Sequence, residues 1–121
     1  MNHCEQLMES PILTVDVAHP PLSASETEEV LLQSWSLVRN SQTLRLLKII
    51  HGYGSSGKGG TTRETVRLWA FRQRKKFRDV IEGESYNPYH PQVQEMRKEL
   101  GLFEDQDLRN ENPGITLIWV K

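Results

Sequence analysis

An apolar run, Leu44-Arg45-Leu46-Leu47-Lys48-Ile49-Ile50, passes directly into His51-Gly52-Tyr53-Gly54-Ser55-Ser56-Gly57-Lys58-Gly59-Gly60, a stretch with five glycines in ten residues. A nearly continuous apolar run of this length is what a central strand needs when it is covered on at least one face. The glycines cannot extend such a core, so the strand ends where they begin. Helical periodicity resumes after them. Thr61-x-x-Glu64 matches a capping box, and Val66, Trp69, Ala70 and Phe77 form a candidate inward stripe for a helix running from Thr61 or Thr62 to about Phe77. Strand, glycine loop and helix in this order place the chain in the α/β class.

The flanking segments fit the same class. Residues 1–11 lack a clear period and are predicted to be a loose arm. Residues 12–17 (ILTVDV) are predicted to be a strand that stops at His19-Pro20-Pro21, because proline has no ladder donor and restricts the residue before it. Ser25-x-x-Glu28 predicts a helix to about Asn40 with Val30, Leu31, Trp35 and Val38 facing inward. Asp79 to Glu82 is a short strand candidate. Residues 83–114 form a polar insertion with a helix from Pro91 to Leu100 that Gly101 ends, and residues 115–121 (ITLIWVK) close the chain as a strand apolar on both faces. The expected architecture is a two-layer sandwich of order β-α-β-α-β-β: a mixed four-stranded sheet carrying two main helices on one face, all within one domain spanning residues 12–121. Leu, Ile, Val and Phe make up 31 of 121 residues, enough for one modest core. No apolar run approaches the roughly 18 residues of a membrane span, and the start of the chain lacks a signal-peptide pattern. A single cysteine, Cys4, excludes an internal disulfide framework and a cysteine-based zinc site. A cytoplasmic, monomeric protein is the expectation, without a membrane partner.

Charge is distributed unevenly. Residues 1–42 carry a net −5, residues 43–78 a net +9 and residues 79–121 a net −5. A basic middle of this kind attracts polyanions even when the whole chain is near neutral. The competing reading is a helix face whose charges pair with the acidic flanks. A third idea gives the acidic insertion the role of a polyanion mimic that covers the basic patch.

A glycine-rich loop between strand and helix turns backbone N–H groups toward an anion at a positive helix end, so loop 51–60 reads as a phosphate cradle. Lys58 lies within it, and Arg63 and Arg67 follow one helical turn apart. The nucleotide P-loop pattern fails at Gly59, which has no hydroxyl to hold magnesium. Further on, Arg72, Arg74, Lys75 and Lys76, with Arg78, exceed what capping the helix dipole requires, and read as a phosphate track that is blind to sequence and sensitive to salt. Tyr86 and Tyr89 either stack on unpaired bases or anchor the insertion, and anchoring is favoured. The four histidines are too scattered to argue a metal site.

His51-Gly52-Tyr53-Gly54 followed by Ser56-Gly57-Lys58-Gly59 and a basic helix resembles the small MutS-related (Smr) domain family over roughly residues 12–121, with residues 83–114 as an insertion. The resemblance implies a two-layer α/β fold like the C-terminal domain of bacterial translation initiation factor three. It also implies nucleic-acid binding and, in many members, endonuclease activity on DNA or RNA. The sites it suggests are Asp16, His19 and His51 for catalysis. For binding they are Gly52, Gly54, Ser56, Gly57, Lys58, Gly59, Arg63, Arg67, Arg72, Arg74, Lys75 and Lys76. The family's first motif, Leu-Asp-x-His-Gly, stands here as Val15-Asp16-Val17-Ala18-His19-Pro20, with the histidine one place late. Strand alternation would turn that imidazole away from Asp16 unless the strand ends there.

Cleavage of a phosphodiester needs a base near neutral pKa and donors for the charge developing on phosphorus. His51 and His19 answer the first need, Lys58 and Arg63 the second, and Asp16 would orient an imidazole or hold a divalent metal such as magnesium or manganese. Bland alternatives stay open: His51 hydrogen-bonded to a loop carbonyl, and Asp16 capping the turn that follows it. A non-catalytic module that docks on nucleic acid, a ribosome or a repair complex is the other functional class.

Overall fold

Alternation of side chains along four short strands sets up a sheet with two different faces. The computed structural model describes residues 10–53 and 58–121. Its strands are β1 (Ile12–Asp16), β2 (Leu46–Ile50), β3 (Phe77–Glu82) and β4 (Ile115–Val120), and its helices are α1 (Ala24–Arg39), α2 (Lys58–Arg72) and α3 (Pro91–Leu100). The strand order is β1-β2-β4-β3, with β1 parallel to β2 and β4 antiparallel to both of its neighbours. The chain is thus an α/β fold on a mixed four-stranded sheet. The parallel strands β1 and β2 both end at the edge from which residues 17–23 and the glycine loop depart.

Leu47 and Ile49 of β2 point to one face with Ile118 and Val120 of β4, where Leu31 and Val38 of α1 and Val66, Trp69 and Ala70 of α2 cover them. Leu46, Leu117 and Trp119 point to the other face, which Tyr86, Val93, Met96 and Leu108 of the insertion cover. The two main helices share one face as expected, while the insertion is a second cover, so β4 is buried along its whole length. The two ends of the insertion meet at Gly83, where a Cβ would stand 1.7 Å from the Asn112 carbonyl oxygen, so only glycine fits. Trp69 and Trp119 lie in the core, and Trp35 packs against it partly buried.

Several boundaries differ from the sequence expectation. Two S-x-x-E patterns overlap before α1, and Ser23 rather than Ser25 caps it. The Ser23 hydroxyl accepts from the Glu26 N–H, and Glu26 Oε1 accepts from the Ser23 N–H. Glu28, the other candidate, pairs instead with Arg72. Helix α2 begins at Lys58, so Thr61 lies within its first turns; the poor helix propensity of Gly59 and Gly60 is overridden by packing of Thr62, Val66 and Trp69. It ends at Arg72, and a single 3₁₀ turn over Arg74–Lys76 leads into β3. Phe77 is buried as expected, but from β3, where it pairs with Val120 and its ring meets Trp69 at 5.7 Å. Strand β2 starts at Leu46, after Arg45 and Leu46 donate their N–H groups to the Pro11 carbonyl. Most of the arm, residues 1–9, lies outside the described residues.

Candidate nucleic-acid interface and histidine pair

Strand β1 ends at Asp16, and the turn that follows is built on its carboxylate. Asp16 Oδ1 accepts from the Ala18 N–H at 2.8 Å and from the His19 N–H at 3.1 Å. This turn brings His19 back, with its Nδ1 2.9 Å from Asp16 Oδ2. The one-residue displacement of the histidine is absorbed because the strand has ended. Burial raises the Asp16 pKa, but the Ala18 N–H and the His19 ring and N–H outweigh it and leave the carboxyl below its ordinary range. The His19 side chain is 73% exposed, so its Nε2 faces solvent on the rim of this turn. An imidazole whose Nδ1–H is held by a carboxylate is oriented for proton transfer at Nε2.

His51 is placed differently. Alternation along β2 turns it to the face of α1 and α2, with Ile49, whereas Asp16 is in register with Ile50, whose side chain points to the other face. His51 is fully buried. Its Nδ1 lies 2.9 Å from the Gly52 carbonyl and its Nε2 2.9 Å from Thr116 Oγ1. A carbonyl only accepts, so Nδ1 carries the proton and Nε2 accepts from the Thr116 hydroxyl. That hydroxyl in turn accepts from Arg67 Nε at 3.3 Å. Burial, with Arg67 and Arg63 adding repulsion, pulls the His51 pKa down to about 4, so the ring is neutral at pH 7. Both of its nitrogens are in use, and the structure brings Asp16 and His19 together without it.

The two turns still abut. The Val17 N–H donates to the Ile50 carbonyl, and a Cβ on Gly52 would stand 3.9 Å from Ala18 Cβ. Gly52 has φ +84°, a conformation that favours glycine, and both His51 and Gly52 donate their N–H groups to the Gly114 carbonyl. Gly54, Ser56 and Gly57 lie outside the described residues, as does the Lys58 side chain; Lys58 and Gly59 belong to the first turn of α2.

Many of the cations meet carboxylates from the acidic flanks. Arg67 Nη2 lies 2.7 Å from Glu84 Oε1, with Glu82 at 3.9 Å, and Arg63 lies 3.6 Å from Glu84 while also donating to the Tyr53 carbonyl. The Arg67 contact holds the Glu84 carboxyl below its ordinary pKa. Arg72 pairs with Glu28, and Arg78 pairs with Glu99 while lying over the Trp119 ring. The turn after α2 is different: among the described residues, Arg74, Lys75 and Lys76 have no carboxylate within 4.0 Å. Lys76 lies 5.3 Å over Trp35, which Arg39 also covers, and Lys121 donates to the Lys75 carbonyl. Lys58 and this turn lie at opposite ends of α2, about 20 Å apart for fifteen helical residues.

Sequence reasoning passed over Lys48. It is 4% exposed within the apolar run of β2, and its Nζ lies 2.8 Å from Asp105 and 2.7 Å from Asp107. The Tyr86 hydroxyl donates to Asp105, and Asn112 donates to Asp107. A lone lysine in an otherwise apolar strand was the available signal. Tyr86 therefore anchors the insertion, whereas Tyr89 is 83% exposed. Among the described residues, no three of His, Cys, Asp or Glu are grouped to hold a metal ion, and no helix is long and apolar enough to cross a membrane. Comparison with known proteins gives no match, either to a family model, to a curated protein or to a solved structure.

Proposed function

We propose that this chain is a nucleic-acid-binding domain of Smr type that cleaves the phosphodiester backbone as an endonuclease. The observation that carries the reading is the Asp16–His19 pair, exposed in the turn that abuts Gly52 at the ends of the parallel strands. Asp16 holds Nδ1–H, leaving Nε2 to take a proton from the attacking oxygen, a water or a ribose 2′-hydroxyl. That oxygen bonds to phosphorus as the leaving oxygen departs with a proton from the solvent. Arg63 and Lys58, in the first turns of α2, are the cations assigned to the developing negative charge. His51 is a positioning residue in this scheme: its neutral ring holds the Gly52 carbonyl, beside the turn that carries His19. The basic track from Arg63 and Arg67 to Arg72, Arg74, Lys75 and Lys76 would hold the backbone without reading its sequence.

The test offers labelled single-stranded RNA and supercoiled DNA to wild type, Asp16→Asn and His19→Ala, with and without magnesium or manganese. Loss of cleavage by about 10²–10⁴-fold in His19→Ala, with binding kept, is the expected result. Binding without cleavage by wild type would favour the second reading, a non-catalytic module that docks on nucleic acid within a ribosome or repair complex. Burial of His51 is the observation on its side, since one candidate base is unavailable. No binding to either polymer would end both readings.

A further inference from the structure

A groove of about 330 Å³ opens between the C-terminal half of α2, the outer strand β3 and the insertion, and neither Asp16 nor His19 lines it. Phe71 and Val80 supply its apolar surface, and Phe71 is 60% exposed. Arg74 lies with its guanidinium 3.9 Å from the centre of the Phe71 ring, and its Nη1 donates to the Phe71 carbonyl at 2.7 Å, which fixes the plane. The remaining wall is polar. Gln92 donates its amide N–H to Asp79, leaving its carbonyl oxygen as an acceptor, and Glu82 and Ser85 line the same space; Arg67 lines it too, with its N–H groups given to Glu84 and Thr116.

We propose that this groove takes one unpaired base of a single-stranded nucleic acid, an inference that rests on the nucleic-acid reading above and narrows it. An exposed aromatic ring carrying a flat, anchored guanidinium is a stacking platform for a base, and the same guanidinium offers N–H groups to the adjoining phosphate. A paired base cannot reach it, because stacking on the platform requires the base to leave its own stack. The acceptors on the wall favour a base with an exocyclic amino group. The groove thus confers a preference for single strands on a surface whose other cations touch backbone only.

The test measures fluorescence anisotropy of a labelled 12-nucleotide adenine-rich single strand, and of its duplex, against wild type and variants. Phe71→Ala and Arg74→Lys are expected to weaken single-strand binding about tenfold and duplex binding less than about twofold; the lysine keeps the charge and loses the plane. Tyr89→Ala, which removes a still more exposed aromatic outside the groove, is expected to change neither. Equal losses on single strand and duplex, or none on either, would overturn the groove and leave the general reading standing. No binding of either polymer by wild type would overturn both. All three side chains are exposed, so the fold does not depend on them.

Discussion

Each face of the sheet buries a polar network, and the two are of opposite kinds. On the insertion face, Lys48 is enclosed by Asp105 and Asp107, three charges in an apolar wall. On the helix face, the chain from Arg67 through Thr116 to His51 ends in a neutral ring. Burial opposes charge on both faces. Lys48 keeps its proton because desolvation is outweighed by hydrogen bonds to the two carboxylates, which raise its pKa, whereas His51 has no carboxylate partner and loses its proton. The insertion is therefore held by charge complementarity across 57 and 59 residues of sequence, and Gly52 at the end of β2 by a directional hydrogen bond from an uncharged ring.

Breaking the charged network should have the largest effect. Lys48→Ala leaves two carboxylates without their cation and is expected to cost roughly 3–5 kcal/mol. The loss should fall on the insertion first. Hydrogen exchange of residues 86–108 should accelerate while α1 and α2 keep their protection. Uniform acceleration across both faces would show that the insertion is not a separate cover. Adding Asp105→Asn and Asp107→Asn to the lysine variant should recover part of the loss, because the orphaned charges are then removed.

The neutral network should respond to pH. The folded His51 pKa of about 4 lies below the ordinary 6.5, so the unfolded chain binds a proton first as pH falls. This contribution to stability is complete above pH 6.5. It declines between 6.5 and 4 by on the order of 3 kcal/mol, at about 1.4 kcal/mol per unit. Denaturant titrations over that window should show the slope in wild type and its loss in His51→Gln. The same slope in both proteins would place the proton uptake elsewhere.

These networks also mark where the sequence was legible. Period and composition were enough for the strands and the helix Pro91–Leu100, because apolar spacing specifies which side of an element is buried, and the sharing of one face by two helices followed as the economical arrangement on one sheet. The start of α2 was not legible, because Gly59 and Gly60 have loop propensity and only tertiary packing makes them helical. Phe77 was read as buried but on the wrong element, since an inward side chain looks the same from a helix end and from a strand start. A closing strand apolar on both faces called for a second cover, but that the insertion supplies it was missed, because an ion trio such as Lys48–Asp105–Asp107 is a long-range pairing that no local period records. At the candidate site, the meeting of Asp16 and His19 depended on where β1 stopped, and the burial of His51 depended on a threonine on β4.

The smallest expected effect tests the joint between the two regions. Glu84 stands at the start of the insertion, yet its carboxylate receives Arg67, the first donor of the neutral chain, and also lies near Arg63. Glu84→Gln removes that charge at a partly exposed pair, so stability should change by less than about 1 kcal/mol. Its effect should appear in binding. Freed of their shared carboxylate, the two guanidiniums become available to phosphates, and affinity for single-stranded nucleic acid should rise severalfold at low salt. The slope of log affinity against log salt should steepen by about one for each further phosphate that the arginines neutralise. Unchanged affinity and slope would mean that the acidic insertion does not compete with nucleic acid for these arginines, and would confine the track to the turn over Arg74–Lys76, where no carboxylate of the described residues intervenes. A steeper slope would make the insertion both the cover of one face and a built-in competitor for the ligand of the other.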